Sequence, residues 1–128
     1  ILRPGTDVAI MACGIMVAEA LRAANRLSTE GISAAVLDLF TIKPLDVASV
    51  TEWAGRTGAV VTAENHNVIG GLGSAVADAL VRSHPCPVEM VGVQDQFGEV
   101  GPLDYLQERF ALTADEIVRN VHAVMARK

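Results

Sequence analysis

At 128 residues the chain is the size of a single domain. It is 51% hydrophobic and 20% charged, which excludes intrinsic disorder. Its net charge of −5, with ten scattered Lys and Arg, argues against a nucleic-acid or anionic-membrane partner. No apolar run approaches the roughly 20 residues that cross a bilayer. Aromatic residues are only 4%, so the core must be built from Val, Ile, Leu and Ala, as in a parallel sheet covered by helices. Cys13 and Cys86 are the only cysteines. Neither lies in a Cys-x-x-Cys pair or at metal-ligand spacing from a His, so reduced, structural thiols in a cytoplasmic protein are expected. The opening ILRPG has no signal-peptide pattern and no initiator Met, as expected of a fragment of a longer chain.

Four apolar runs alternate with helical patterns. Asp7 to Cys13 reads as the first strand, ending at Gly14. In the helix after it, Val17, Ala20, Leu21, Ala24 and Leu27 share one face and Glu19, Arg22 and Arg26 the other; Gly31 stops it. Ala34 to Leu39 is the second strand. Asp46 is placed to cap a helix that carries Val47, Val50 and Trp53 inward, bracketed at its end by Gly55 and Gly58. Ala59 to Ala63 is the third strand, followed by a glycine turn and a helix with Val76, Ala79 and Leu80 on one side. That helix ends at His84, Pro85 and Pro87. Val88 to Val93 is the fourth strand. A turn at Gly98 to Pro102 leads to a short helix carrying Leu103, Leu106 and Phe110. Thr113-Ala114-Asp115-Glu116 has the pattern of a capping box before a helix that buries Ile117, Val121 and Val124. The alternation predicts an α/β domain with helices on both faces of a parallel sheet. The opening ILR is placed to add one antiparallel edge strand.

Ligands of open α/β sheets bind beyond the carboxyl ends of the strands. Those ends offer Cys13, Asp38, then Glu64, Asn65 and His66, then Gln94 and Asp95. Three carboxylates and an imidazole on one rim could form a cation site, or an acid–base pair of Glu64 and His66. Alternatively, Asp38, Glu64 and Asp95 satisfy backbone N–H groups in the strand-to-helix turns. Gly70-Gly71-Leu72-Gly73-Ser74 invites a phosphate at a helix N-terminus, but a dinucleotide fingerprint needs a small residue where Val76 stands. Glu64 could complement the helix dipole itself, leaving the glycines to close packing, positive φ or a subunit contact. Phe97, in the loop that continues to Gly98, is either a local core plug or an interface anchor.

Three segments taken together, DLFTIKPLD from Asp38, VVTAENHNVIGGLGSAV from Val60 and VGVQDQFGEVG from Val91, resemble the C-terminal domain of transketolase-like enzymes along essentially the whole chain. The resemblance is nearest to transketolases split into two subunits, whose loop often reads FGESG where this chain has Val100. It extends to deoxyxylulose-phosphate synthase and to the β subunit of 2-oxo-acid dehydrogenases. It implies a three-layer α/β/α fold with a five-stranded, mostly parallel sheet and one antiparallel edge strand. The implied parent enzyme moves a two-carbon ketol unit between sugar phosphates, using thiamine diphosphate and Mg²⁺. The cofactor would lie between a pyrimidine-binding and a diphosphate-binding domain, in a homodimer or a two-subunit heterotetramer. None is expected on this chain, which has no Gly-Asp-Gly metal-and-diphosphate signature. Catalytic residues are expected elsewhere, with residues 1–128 scaffolding and assembling. The rival reading from the residues is a small-ligand or anion-binding regulatory module at the rim.

Overall fold

The computed structural model describes residues 1–128. Four strands, β1 (Val8–Ala12), β2 (Ala34–Asp38), β3 (Val60–Asn67) and β4 (Val88–Val93), form one parallel sheet in the order β2-β1-β3-β4. Pleating sends alternate residues to opposite faces. Val8, Ile10 and Ala12 of β1, with Ala34, Val36, Val61, Ala63 and Val91, face α1 (Met16–Thr29) and α5 (Ala114–Met125). Ala9 and Met11, with Ala35, Leu37 and Val60, face α2 (Val47–Thr57) and α3 (Leu72–Ser83). Because both faces are covered, β1 is apolar at every position and wholly buried. A short α4 (Leu103–Arg109) lies between β4 and α5.

The expected antiparallel fifth strand is reduced to one bridge, Arg3 to Val36. Pro4 has no N–H to extend the ladder. The chain then crosses the start of β2 so closely that a Cβ on Gly5 would lie 2.2 Å from the carbonyl carbon of Ala34. Thr6 and Asp7 both donate to the Ser33 carbonyl, at 2.9 Å each, so pairing with β2 stops there.

The cap residues behave locally as their chemistry requires. Asp46 accepts from the Ser49 N–H at 3.0 Å and the Ser49 hydroxyl at 2.7 Å. The Thr113 hydroxyl accepts from the Glu116 N–H, but the Glu116 carboxylate turns to Asn120 and Arg119 rather than back to Thr113, leaving half a capping box. Gly31 and Gly58 end their helices with positive φ, as the sequence implies, whereas Gly55 lies inside α2.

Three burial expectations change in the tertiary structure. Val47 and Leu103 are exposed, because α2 turns its first residue outward and α4 buries none of its residues. Glu19, expected on the solvent face, is buried because α5 packs over α1. Its carboxylate accepts from the Ala114 N–H at 2.9 Å and pairs with Arg22, capping a helix 95 residues away in sequence.

Candidate functional site at the carboxyl edge of the sheet

β3 runs past the expected Ala63 to Asn67. Its pairing with β4 slips on the way: Ala63 is opposite Val91, yet Asn67 is opposite Val93. Four residues of β3 therefore span what two cover on β4, and such a bulge re-aims side chains. The Glu64 side chain turns inward under the start of α3 and is only 1% exposed. One carboxylate oxygen accepts from the Leu72 N–H at 2.6 Å, the other from the Gly73 N–H at 2.9 Å. An anion accepting two free N–H groups at a helix N-terminus is favoured by hydrogen bonding and by the helix dipole.

The glycine turn is shaped around this carboxylate. A Cβ on Gly71 would fall 1.9 Å from Glu64 Oε2, and one on Gly73 2.8 Å from the Met90 sulfur. Gly71 itself has φ −98; the positive φ in the turn belongs to Gly70, at 80. The Gly70 N–H donates to Ser74 Oγ, and the Ser74 hydroxyl donates to the Val68 carbonyl, each at 2.9 Å. Gly71 and Gly73 are thus glycine for close approach and Gly70 for its backbone conformation.

His66 follows Glu64 on the same side, with its Nδ1 4.0 Å from Glu64 Oε2 and 2.7 Å from the Asn67 carbonyl. The ring is exposed to solvent, and both Glu64 oxygens are already engaged with α3. Glu64 is therefore a capping group in this geometry rather than a free base. Burial, and then the carboxylates of Glu64 and of Asp38 at the end of β2, raise the Cys13 thiol above its ordinary pKa. Cys13 is thus held as the neutral thiol. Asp95 has φ 49 and accepts from the Asn67 amide at 3.4 Å; it caps no backbone N–H.

The rim does not converge. With strand order β2-β1-β3-β4, Asp38 ends one edge strand and Asp95 follows the other, and those two edge strands lie three strand spacings, about 14 Å, apart. No group of three or more His, Cys, Asp and Glu side chains is arranged to hold a metal ion. A cleft of about 320 Å³ does open beside β3 and β4, lined by Asn65, Asn67, Gln96, Gly98, Leu106 and Phe110 among others. Phe97 does not line it and is 98% exposed, so it is not a core plug.

Several edge residues were not among the site candidates from the sequence. Phe40 and Ile42 after β2, Ile69 after β3 and Val100 after β4 are exposed apolar side chains. The signal that singled out Phe97, a large apolar residue in a polar, glycine-rich loop, does not reach Phe40, which stands between Leu39 and Ile42 with no glycine nearby. The bracing of the last loop is also tertiary: Glu99 accepts from Tyr105 at 2.7 Å and from Arg109 at 2.8 Å, and Arg109 donates to Gln96 at 3.0 Å.

A family model described as "Transketolase, C-terminal domain" matches residues 1–117. The chain belongs to the transketolase C-terminal-domain family. Among curated members, it is 59% identical over 128 residues to a 6-deoxy-6-sulfo-D-fructose transketolase subunit from Clostridium sp. (strain MSTE9), covering all of this chain and 40% of that protein. It is 40% identical over 120 residues to a 1-deoxy-D-xylulose-5-phosphate synthase from Heliobacterium modesticaldum, covering 93% of this chain and 18% of the synthase. A solved structure of a split-gene transketolase, described as an inactive β4 tetramer, superposes with a TM-score of 0.96 at 51% identity, covering all of this chain and 42% of that one. The chain therefore spans well under half the length of these members. The three-layer transketolase C-terminal architecture expected from the sequence is the one observed, with four strands and a bridge in place of five strands. No helix is long and apolar enough to cross a membrane.

Proposed function

We propose that this chain is the C-terminal domain of a thiamine-diphosphate-dependent transketolase that transfers a two-carbon ketol unit between sugar phosphates, and that the domain's own work is scaffolding and assembly. The observation that carries the reading is the 59% identity, over the whole chain, to a transketolase subunit. The 51% identity to a split-gene transketolase supports it, and both exceed the 40% identity to the Heliobacterium synthase.

Thiamine diphosphate and Mg²⁺ belong, in this proposal, to the pyrimidine-binding and diphosphate-binding domains of the parent enzyme. The fit of the groups present supports that division. The helix N-terminus after the glycine turn has its Leu72 and Gly73 N–H groups engaged by Glu64, and the space at Gly71 is filled by the same carboxylate. A phosphate there would meet a buried anion. No catalytic step is assigned to residues of this chain. A multi-subunit assembly in the cytoplasm, as a homodimer or a two-subunit heterotetramer, completes the proposal. The related split-gene enzyme, described as an inactive β4 tetramer, supports a multi-subunit assembly as such, and the two free cysteines support the compartment.

The test is a ketol-transfer assay of the parent enzyme with ketose donors and aldose phosphate acceptors. The donor panel includes 6-deoxy-6-sulfo-D-fructose derivatives, because the Clostridium relative bears that name. Ketol transfer dependent on thiamine diphosphate is expected. Formation of 1-deoxy-D-xylulose 5-phosphate instead would move the chain to the synthase branch. Titration calorimetry of residues 1–128 alone with thiamine diphosphate and Mg²⁺ should show no binding; micromolar affinity would overturn the scaffolding role.

A further inference from the structure

The carboxyl edge of the sheet gathers exposed apolar side chains from three successive loops. Phe40 and Ile42 follow β2, Ile69 follows β3, and Phe97 and Val100 follow β4; Phe40 is 85% exposed, Phe97 98% and Val100 103%. Their common position is a consequence of topology, since every strand of a parallel sheet ends at the same edge. Several large apolar side chains left exposed along one edge are the feature that marks an interaction site.

Phe97 is presented rather than loose. Gln96 on one side and Glu99 on the other are both tied to α4 through Arg109, and Glu99 also through Tyr105. A large aromatic on a braced loop loses little freedom on docking, which is the character of an interface anchor.

Chain direction indicates what docks there. The Leu2 N–H donates to the Val36 carbonyl, and the Val36 N–H to the Arg3 carbonyl, each at 2.9 Å. Because the bridge is antiparallel, reading backward from Arg3 through Leu2 to Ile1 runs along β2 toward Asp38. Residues ahead of Ile1 would therefore be delivered to the carboxyl edge. At the other end, the Lys128 ammonium donates to the Asp7 carbonyl, beside the start of β1 and the opposite edge. The related chains carry more than half their length outside the matched part, and the matched part is by description the C-terminal domain. A second copy is the poorer occupant: face to face, it would bring the Asp38 and Asp95 carboxylates of both copies into one desolvated interface.

We infer that this edge is the docking face for the part of the parent polypeptide that precedes Ile1, with Phe97 as its anchor; the inference rests on reading the chain as the C-terminal domain of a transketolase. The test uses the full parent polypeptide with p-benzoylphenylalanine at position 97, assembled from equal amounts of ¹⁴N- and ¹⁵N-labelled chains and photolysed. Cross-links from position 97 to peptides ahead of Ile1, always between peptides of the same isotope, are expected. Mixed-isotope cross-links to such peptides would place the contact between subunits and overturn the inference. So would cross-links to residues 1–128 of another copy, or none to protein at all. In parallel, Phe97→Cys in the parent chain should be alkylated at least tenfold more slowly than Val81→Cys, an exposed α3 position, with sites mapped by mass spectrometry so that Cys13 and Cys86 are scored separately. Equal rates would overturn the inference. Ketol-transfer activity of the wild-type parent separates the two failures. Activity without the same-chain cross-link sinks only the docking face; the cross-link without activity sinks only the functional reading.

Discussion

Gly71→Ala is a sharper probe of the site than its single methyl group suggests. The new Cβ would lie 1.9 Å from Glu64 Oε2, 2.7 Å from its Cδ and 2.9 Å from the Asn67 carbonyl. Neither the bulged strand nor the helix start can yield that much in a close-packed interior, so the carboxylate must leave. Its departure breaks the bonds to the Leu72 and Gly73 N–H groups. Each is a charge-assisted bond worth about 1.5–3 kcal/mol, so a loss of about 3–6 kcal/mol is expected, a large part of a typical domain's ~5–15 kcal/mol. This exceeds the roughly 1–3 kcal/mol of ordinary overpacking. It also arises without any positive φ at this glycine. Equilibrium urea unfolding by circular dichroism would measure it, in a cycle with Glu64→Ala. If the alanine acts by evicting the carboxylate, Glu64→Ala should cost much less in the Gly71→Ala background than alone, giving a coupling above ~1 kcal/mol. Additivity of the two changes within about 0.5 kcal/mol, or a Gly71→Ala loss below about 1 kcal/mol, a single ordinary hydrogen bond, would refute the eviction argument.

Glu19→Ala should destabilise by about 1–3 kcal/mol by uncapping the Ala114 N–H under a packed helix; a melting temperature equal to wild type would contradict it. Asp46 has its pKa lowered chiefly by the Ser49 N–H and then by the Ser49 hydroxyl. Its stabilising contribution is therefore present above the unfolded-state value, near 4, and is lost as pH falls through the lower folded-state value. Asp46→Asn should flatten the acid limb of the stability–pH curve, and an acid limb identical to wild type would sink that assignment. Cys13, raised by burial and by Glu64 and Asp38, should react with iodoacetamide at pH 7.5 more slowly than a free thiol. Equal rates would show the thiolate to be accessible after all.

What the sequence by itself determined is the set of features whose physics is local. Four apolar runs of strand length, the helical stripes on α3 and α5, the Asp46 cap and the glycine stops at Gly31 and Gly58 depend on neighbours within a turn or two, and each stands where its residues imply, apart from the extension of β3 beyond Ala63 to Asn67. The three motif segments carried the family because their order along the chain is itself a linear property. The tertiary structure decided whatever depends on partners distant in sequence. Glu19 became a buried cap only because α5 lies across α1. Glu64 became a cap rather than a free rim carboxylate because β3 bulges against β4, a register event that no periodicity in β3 announces. Asp38 and Asp95 came to opposite edges because strand order, not strand sequence, spaces them. Phe97 is exposed on a loop whose Gln96 and Glu99 are tied to Arg109 and Tyr105, from a helix later in the chain.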